Sequence, residues 1–183
     1  MNKAENFFKG IKGKRVAFCG IGKSNLPLIY KFIDKGAVVY ACDRREREAL
    51  SAGQADELEK AGATLILGDG YLKDLDVDII FRTPGMNFFL PELTEARKKG
   101  IAVTSEMEVF FDLCPCKVFA VTGSDGKTTT TTLIATMLRE QGYRVHLGGN
   151  IGTPLLPQID DIGENDIAVA ELSSFQLISM RKS

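Results

Sequence analysis

Short apolar runs alternate along the chain with stretches whose apolar residues recur at helical spacing. The first run, Arg15-Val-Ala-Phe-Cys19, ends in Gly20-Ile-Gly22 and predicts a strand followed by a turn. Apolar residues at 26, 29, 30 and 33 then predict a helix, with Pro27 in its first turn and Gly36 placed to close it. Val38–Cys42 predicts a second strand running into Asp43, 46–61 a charged helix, and Thr64–Leu67 a third strand. Asp78–Phe81 and Ile101–Thr104 predict two more strands, separated by a helix over 93–99. Such alternation points to a parallel, doubly wound α/β sheet, because parallel strands need a crossover connection.

After a short helix over 106–112, the segment Cys114-Pro115-Cys116 reads as a linker and the pattern restarts. Val118-Phe-Ala-Val121 is an uninterrupted apolar run, suited to the centre of a parallel sheet. A helix over 128–141, closed by Gly142, and strands over 144–147 and 167–170 follow. The expected organisation is therefore two α/β domains, 1–113 and 117–183. The second would be marginal alone, since a core of roughly 65 residues buries little surface.

Composition narrows the class without deciding it. With 23 Lys+Arg against 24 Asp+Glu the net charge is −1, and 44% of residues are hydrophobic. That balance supports a folded core, and it offers no general electrostatic basis for nucleic acid or a membrane surface. No run approaches the ~20 apolar residues of a membrane span, and the first residues lack the apolar core of a signal peptide. The expectation is a cytoplasmic protein with no evident partner protein. Of the four cysteines, Cys19 and Cys42 sit in apolar runs, and Cys114 and Cys116 lack a zinc-type spacing. With His146 far from both pairs in sequence, reduced structural thiols are expected.

The chemistry concentrates in Gly123-Ser124-Asp125-Gly126-Lys127-Thr128-Thr129. An apolar strand enters a glycine turn, and lysine and hydroxyl residues then open a helix. This order aims consecutive N–H groups and a helix N-terminus at phosphate oxygens. Lys127 can meet the outer phosphates, and Thr128 can ligate Mg²⁺. The strict G-x-x-x-x-G-K-[ST] spacing is not met, because Val121 stands where the first glycine would be. A capped strand–turn–helix junction would explain the two glycines, but not lysine followed by five threonines.

A second glycine turn, Gly20-Ile-Gly22-Lys23-Ser24-Asn25, follows the first strand, and Asp43 stands 23 residues after Gly20. This partly matches a dinucleotide fingerprint, in which an acid about 20 residues on holds a ribose. Asn25 occupies the third glycine's place. Asp43 is equally readable as a strand-end turn residue or as an N-cap for the following helix. Near the other end, Gly148-Gly-Asn150-Ile-Gly152 and Glu171-Leu-Ser173-Ser-Phe-Gln176 each follow a strand. In a parallel sheet both fall on the phosphate-loop edge, where Glu171 can hold Mg²⁺ directly or through water.

Taken together, T-G-S-D-G-K-T-T, G-G-N-I-G and E-L-S-S-F-Q-L resemble the Mur ligases, the ATP-dependent amide-forming enzymes of peptidoglycan synthesis. The resemblance extends to Gly20-Ile-Gly22 and to Thr83-Pro84-Gly85. It implies a Rossmann-like first domain and the first part of a phosphate-loop central domain. The implied reaction joins D-glutamate to UDP-N-acetylmuramoyl-L-alanine through an acyl phosphate. Residues 123–129 would bind ATP, with Lys127 and Glu171 catalytic and Thr128 and Glu171 at Mg²⁺. Asn150, Ser173 and Gln176 would face the muramoyl-alanine, and Lys23, Ser24, Asp43, Arg45 and Gly85 the uridine diphosphate. Asp125 departs from the asparagine usual in the loop, so its role is assigned to the backbone only.

Family members continue beyond these motifs into a D-glutamate-binding third domain. The resemblance therefore implies a chain that is inactive alone. An NAD(P)-binding oxidoreductase, which would leave Lys127 and Thr128 without a use, and a non-catalytic nucleotide-binding module are the competing classes.

Overall fold

The computed structural model describes residues 3–180. Residues 1, 2 and 181–183, at the outer ends of the two expected domains, lie outside the described part. Contacts gather into two units: Phe7–Glu106, and the chain from Met107 onward together with the first turn of helix α1 (Lys3–Ile11).

The first unit holds a five-stranded parallel sheet of β1 (Arg15–Cys19), β2 (Val38–Asp43), β3 (Thr64–Leu67), β4 (Ile79–Arg82) and β5 (Ala102–Thr104). Its order is β3-β2-β1-β4-β5, with every pairing parallel. The chain thus begins at the centre and reverses direction between β1 and β4, a topology that opens a ligand crevice at the strands' carboxyl ends. Helices α2 (Leu26–Asp34), α3 (Gln54–Ala61) and α4 (Pro91–Lys98) are its crossovers. Phe18, Phe32 and Phe81 are fully buried, with Phe18 and Phe81 stacked at 5.0 Å and Phe32 edge-on to both. Aromatic clusters of this geometry add to the hydrophobic gain of burial.

The second unit holds helix α5 (Glu106–Leu113) and a three-stranded parallel sheet of β6 (Lys117–Val121), β7 (Val145–Gly149) and β8 (Ile167–Glu171). Helix α6 (Lys127–Glu140) packs on all three strands, and α7 (Ser174–Leu177) follows β8. The α6 threonines are partly accommodated by helix back-bonding, since Thr131 Oγ1 donates to the Lys127 carbonyl at 2.7 Å.

Two expectations need correction, and one helix was not predicted. Among the described residues β6 is an edge strand, not a central one: the order is β6-β8-β7, and Phe119 is 39% exposed. It is β8 that is buried at every position. An apolar run reveals that a strand can be buried, but not which strands flank it. The helix expected over 46–61 breaks into a 3-10 turn, Arg47–Ala49, and α3, because Gly53 adopts φ +78 between them. Finally, α1 had no predicted counterpart, although Ala4, Phe8 and Ile11 are buried at one-turn spacing.

Candidate functional site

In the second unit, the residues singled out by sequence meet at the carboxyl edge of β6, β7 and β8. Gly123, at φ +151, and Gly126, at φ +71, shape the turn after β6, and Gly126 caps α6. Lys127 folds back over the turn, its Nζ donating to the carbonyls of Gly123 at 2.8 Å and Ser124 at 3.0 Å. The ammonium is therefore held over the turn at the amino end of α6, where an anion is favoured. Ser124, Asp125, Thr128 and Thr129 are exposed along the same turn.

Glu171, the last residue of β8, is only 2% exposed. Its Oε2 accepts from Thr128 Oγ1 at 2.7 Å, and its Oε1 accepts from Asn150 Nδ2 at 3.1 Å. The Asn150 N–H also donates to the Glu171 carbonyl at 2.8 Å. Burial of a carboxylate needs such partners. The glycine pair before Asn150 makes this approach possible. A Cβ at Gly149, which sits at φ +99, would lie 2.3 Å from the Glu171 carbonyl oxygen, and one at Gly148 would lie 2.3 Å from the Thr153 carbonyl oxygen.

Ser173 and Gln176 are engaged with each other. Ser173 N-caps α7, Gln176 N donates to Ser173 Oγ at 3.3 Å, and Ser173 N donates to Gln176 Oε1 at 2.8 Å. This is a capping box, whose signal, S-x-x-Q, is present in the sequence but was not read there as structure. Gln176 is buried at 1% exposure, while Ser173 is half-buried.

In the first unit, Asp43 closes β2 beside the glycine turn after β1. Its Oδ2 accepts from the Ile21 N–H at 2.8 Å and from Arg45 Nη2 at 2.9 Å. Its Oδ1 accepts from Arg45 N and Nε, each at 3.0 Å. Burial alone would push this carboxyl up, but the Arg45 hydrogen bonds and the Ile21 N–H outweigh it and hold it at about 2. Asp43 is thus a strand-end anchor, and it is Glu46 that stands at the N-cap position of the following 3-10 turn, without a side-chain capping bond.

Gly20, at φ +98, packs so closely that a Cβ there would lie 3.0 Å from Thr83 Cγ2, which sets the Thr83-Pro84-Gly85 loop beside the turn. Gly85 and Lys23 are exposed, and Ser24 is half-buried. Sequence reasoning treated Asn25 only as a missing glycine. It is fully buried, and its Nδ2 donates to the Gly20 carbonyl at 2.9 Å, bracing the turn from beneath.

The sheet order and this pair of strand-edge clusters can be set against known proteins. A family model for the Mur ligase middle domain matches residues 121–183. The UDP-N-acetylmuramoylalanine--D-glutamate ligase of Ruminiclostridium cellulolyticum is 54% identical over 181 residues, 98% of this chain and 39% of that one. That of Acetivibrio thermocellus is 52% identical over 182 residues, 99% of this chain and 39% of that one. Over nearly its whole length the chain is similar to Mur ligases.

It spans about two fifths of the length of the curated relatives it matches. Its fold is also similar to the crystal structure of UDP-N-acetylmuramate:L-alanyl-gamma-D-glutamyl-meso-diaminopimelate ligase from Neisseria meningitides. The TM-score is 0.51 and the identity 19%, over 87% of this chain and 52% of that one. Among the described residues no helix is long and apolar enough to cross a membrane.

Proposed function

We propose that this chain carries the ATP-phosphate and UDP-substrate subsites of a cytoplasmic ligase joining D-glutamate to UDP-N-acetylmuramoyl-L-alanine. One observation carries the reading. The hydroxyl that opens α6 and the carboxylate that ends β8, 43 residues apart in sequence, are hydrogen-bonded at the mouth of a glycine turn spanned by Lys127.

Amide formation from a carboxylate and an amine needs activation. In this reading the alanyl carboxylate oxygen attacks the terminal phosphorus of ATP, ADP leaves, and the D-glutamate amine then displaces phosphate from the acyl phosphate. Lys127 would exchange its loop carbonyls for phosphate oxygens, offsetting negative charge as it moves from one oxygen to another.

Thr128 and Glu171 are hard oxygen donors of the kind Mg²⁺ takes. With the Thr128 proton committed to Glu171, the lone pairs of its oxygen are available to a cation. Bound there, Mg²⁺ would neutralise phosphate charge. Asn150 holds Glu171 in place from its other oxygen. Asp125 contributes its backbone only, since a carboxylate turned toward phosphates is repelled. In the first unit, the Gly20–Gly22 turn, Asp43, Arg45 and Gly85 form the proposed UDP pocket, with Lys23 and Ser24 on its exposed lip.

Calorimetric titration of the chain with UDP-N-acetylmuramoyl-L-alanine, alongside NAD⁺ and NADP⁺, tests this reading. Heat from the UDP compound alone supports it, whereas binding of NAD⁺ or NADP⁺ in its place overturns it. D-glutamate-dependent ADP release by this chain alone would overturn the expectation that it is inactive without further domains.

A further inference from the structure

Cys114 and Cys116 stand apart from both proposed subsites. All four described cysteines are free thiols, and Cys19 and Cys42 are fully buried in the first sheet. Cys114 and Cys116 are only half-buried, and their sulfurs lie 3.5 Å apart across Pro115. Cys114 follows α5, its N–H donating to the Phe110 carbonyl at 2.8 Å, and Cys116 precedes β6. A disulfide needs its sulfurs at about 2.05 Å. At 3.5 Å the two sulfurs stand about 1.5 Å from that bond length.

A groove of about 490 Å³ opens on this turn, lined by Lys3, Leu113, Cys114, Pro115, Ile162 and Glu164. That volume is in the range of small-molecule sites. Its lysine and glutamate can meet the carboxylates and ammonium of a zwitterionic thiol compound. Cys116 is outside the lining, so Cys114 is the sulfur that a molecule in the groove meets first.

We propose that Cys114 and Cys116 form a redox-active dithiol that a small-molecule disulfide of the glutathione class converts to an intramolecular disulfide. Cys114, as thiolate, attacks one sulfur of the small disulfide, whose S–S bond breaks and releases one thiol. Cys116 then loses its proton to solvent and attacks the Cys114 sulfur, releasing the second thiol. The pair is oxidised by two electrons, and one small disulfide is reduced to two thiols. The product ring ties the end of α5 to the start of β6, the strand that leads into the phosphate turn.

The test is incubation of the whole chain with oxidised glutathione, then alkylation and mass spectrometry. The expected product has lost two hydrogens, with the Cys114–Cys116 peptide closed to alkylation until dithiothreitol is added. Cys116→Ser is expected to stop at a glutathione adduct on Cys114, and Cys114→Ser to form no intramolecular disulfide. Free alkylation of both thiols after prolonged incubation, a stable glutathione adduct on the unsubstituted chain, or a disulfide between two copies would each overturn the proposal.

Discussion

Thr128 Oγ1 donates to Glu171 Oε2 at 2.7 Å, so the exposed first turn of α6 is tied to the buried last residue of β8. This links the phosphate turn to the strand at the middle of its sheet. Thr128→Val keeps the side-chain shape and removes the hydroxyl. Affinity for ATP with Mg²⁺ should then fall at least tenfold, about 1.4 kcal/mol, with far-UV circular dichroism unchanged. Calorimetry with and without Mg²⁺ checks it, and unchanged Mg²⁺-dependent affinity would remove Thr128 from the cation site.

The close approach of β7 to Glu171 makes a prediction about glycine. Gly149→Ala places a methyl 2.3 Å from the Glu171 carbonyl oxygen at φ +99, so something must shift. A loss of at least about 2 kcal/mol is expected from strain and overpacking together. Gly142 has a similar φ of +86 but open space around it, so Gly142→Ala should cost only about 1 kcal/mol. Urea midpoints of the two variants separate crowding from backbone strain, and equal losses would contradict the crowding.

Asp43 makes the first unit acid-sensitive in a defined window. Its folded value of about 2 lies below the ordinary carboxylate value of 3.8, so its contribution is complete above the unfolded value and disappears as pH falls through the folded one. That contribution is of order 2 kcal/mol, present at pH 6 and fading between about pH 4 and pH 2. Asp43→Asn should therefore be less stable at neutral pH and lose less on acidification. Parallel stability losses between pH 6 and pH 2.5 in variant and parent would refute the assignment.

Phe32 joins α2 to both Phe18 and Phe81. Phe32→Ala should destabilise the first unit by about 3–5 kcal/mol, the usual range for removing a buried aromatic side chain. Binding of UDP-N-acetylmuramoyl-L-alanine should fail at a lower urea concentration than in the parent chain. An unshifted midpoint would show that the aromatic cluster is not what holds this sheet to its helix.

Several features were legible because they are local. Arg15–Cys19 and Thr64–Leu67 are strands at the predicted residues, and the helix predicted from 26 starts at Leu26, since apolar period and a first-turn proline are sequence properties. The turn after β6 was equally readable as a turn, because Gly123 and Gly126 take positive φ there and Lys127 bonds to neighbouring carbonyls. The capping box at Ser173 and Gln176 was also local, but its motif had been read only as chemistry.

Tertiary structure alone decided the relationships between distant segments. The residues of β6 and β8 are both apolar, and only pairing made β8 central and left Phe119 on an edge. That Asp43 accepts from the Ile21 N–H across 22 residues of chain was equally beyond any local pattern. The contact between Thr128 and Glu171 is likewise invisible to any local pattern. The sequence by itself determined the strands, most of the helices and the glycine turn after β6, since these follow from side-chain period and backbone preference. Which side chains meet follows from how the sheets order their strands, and that order is set by packing across the whole unit.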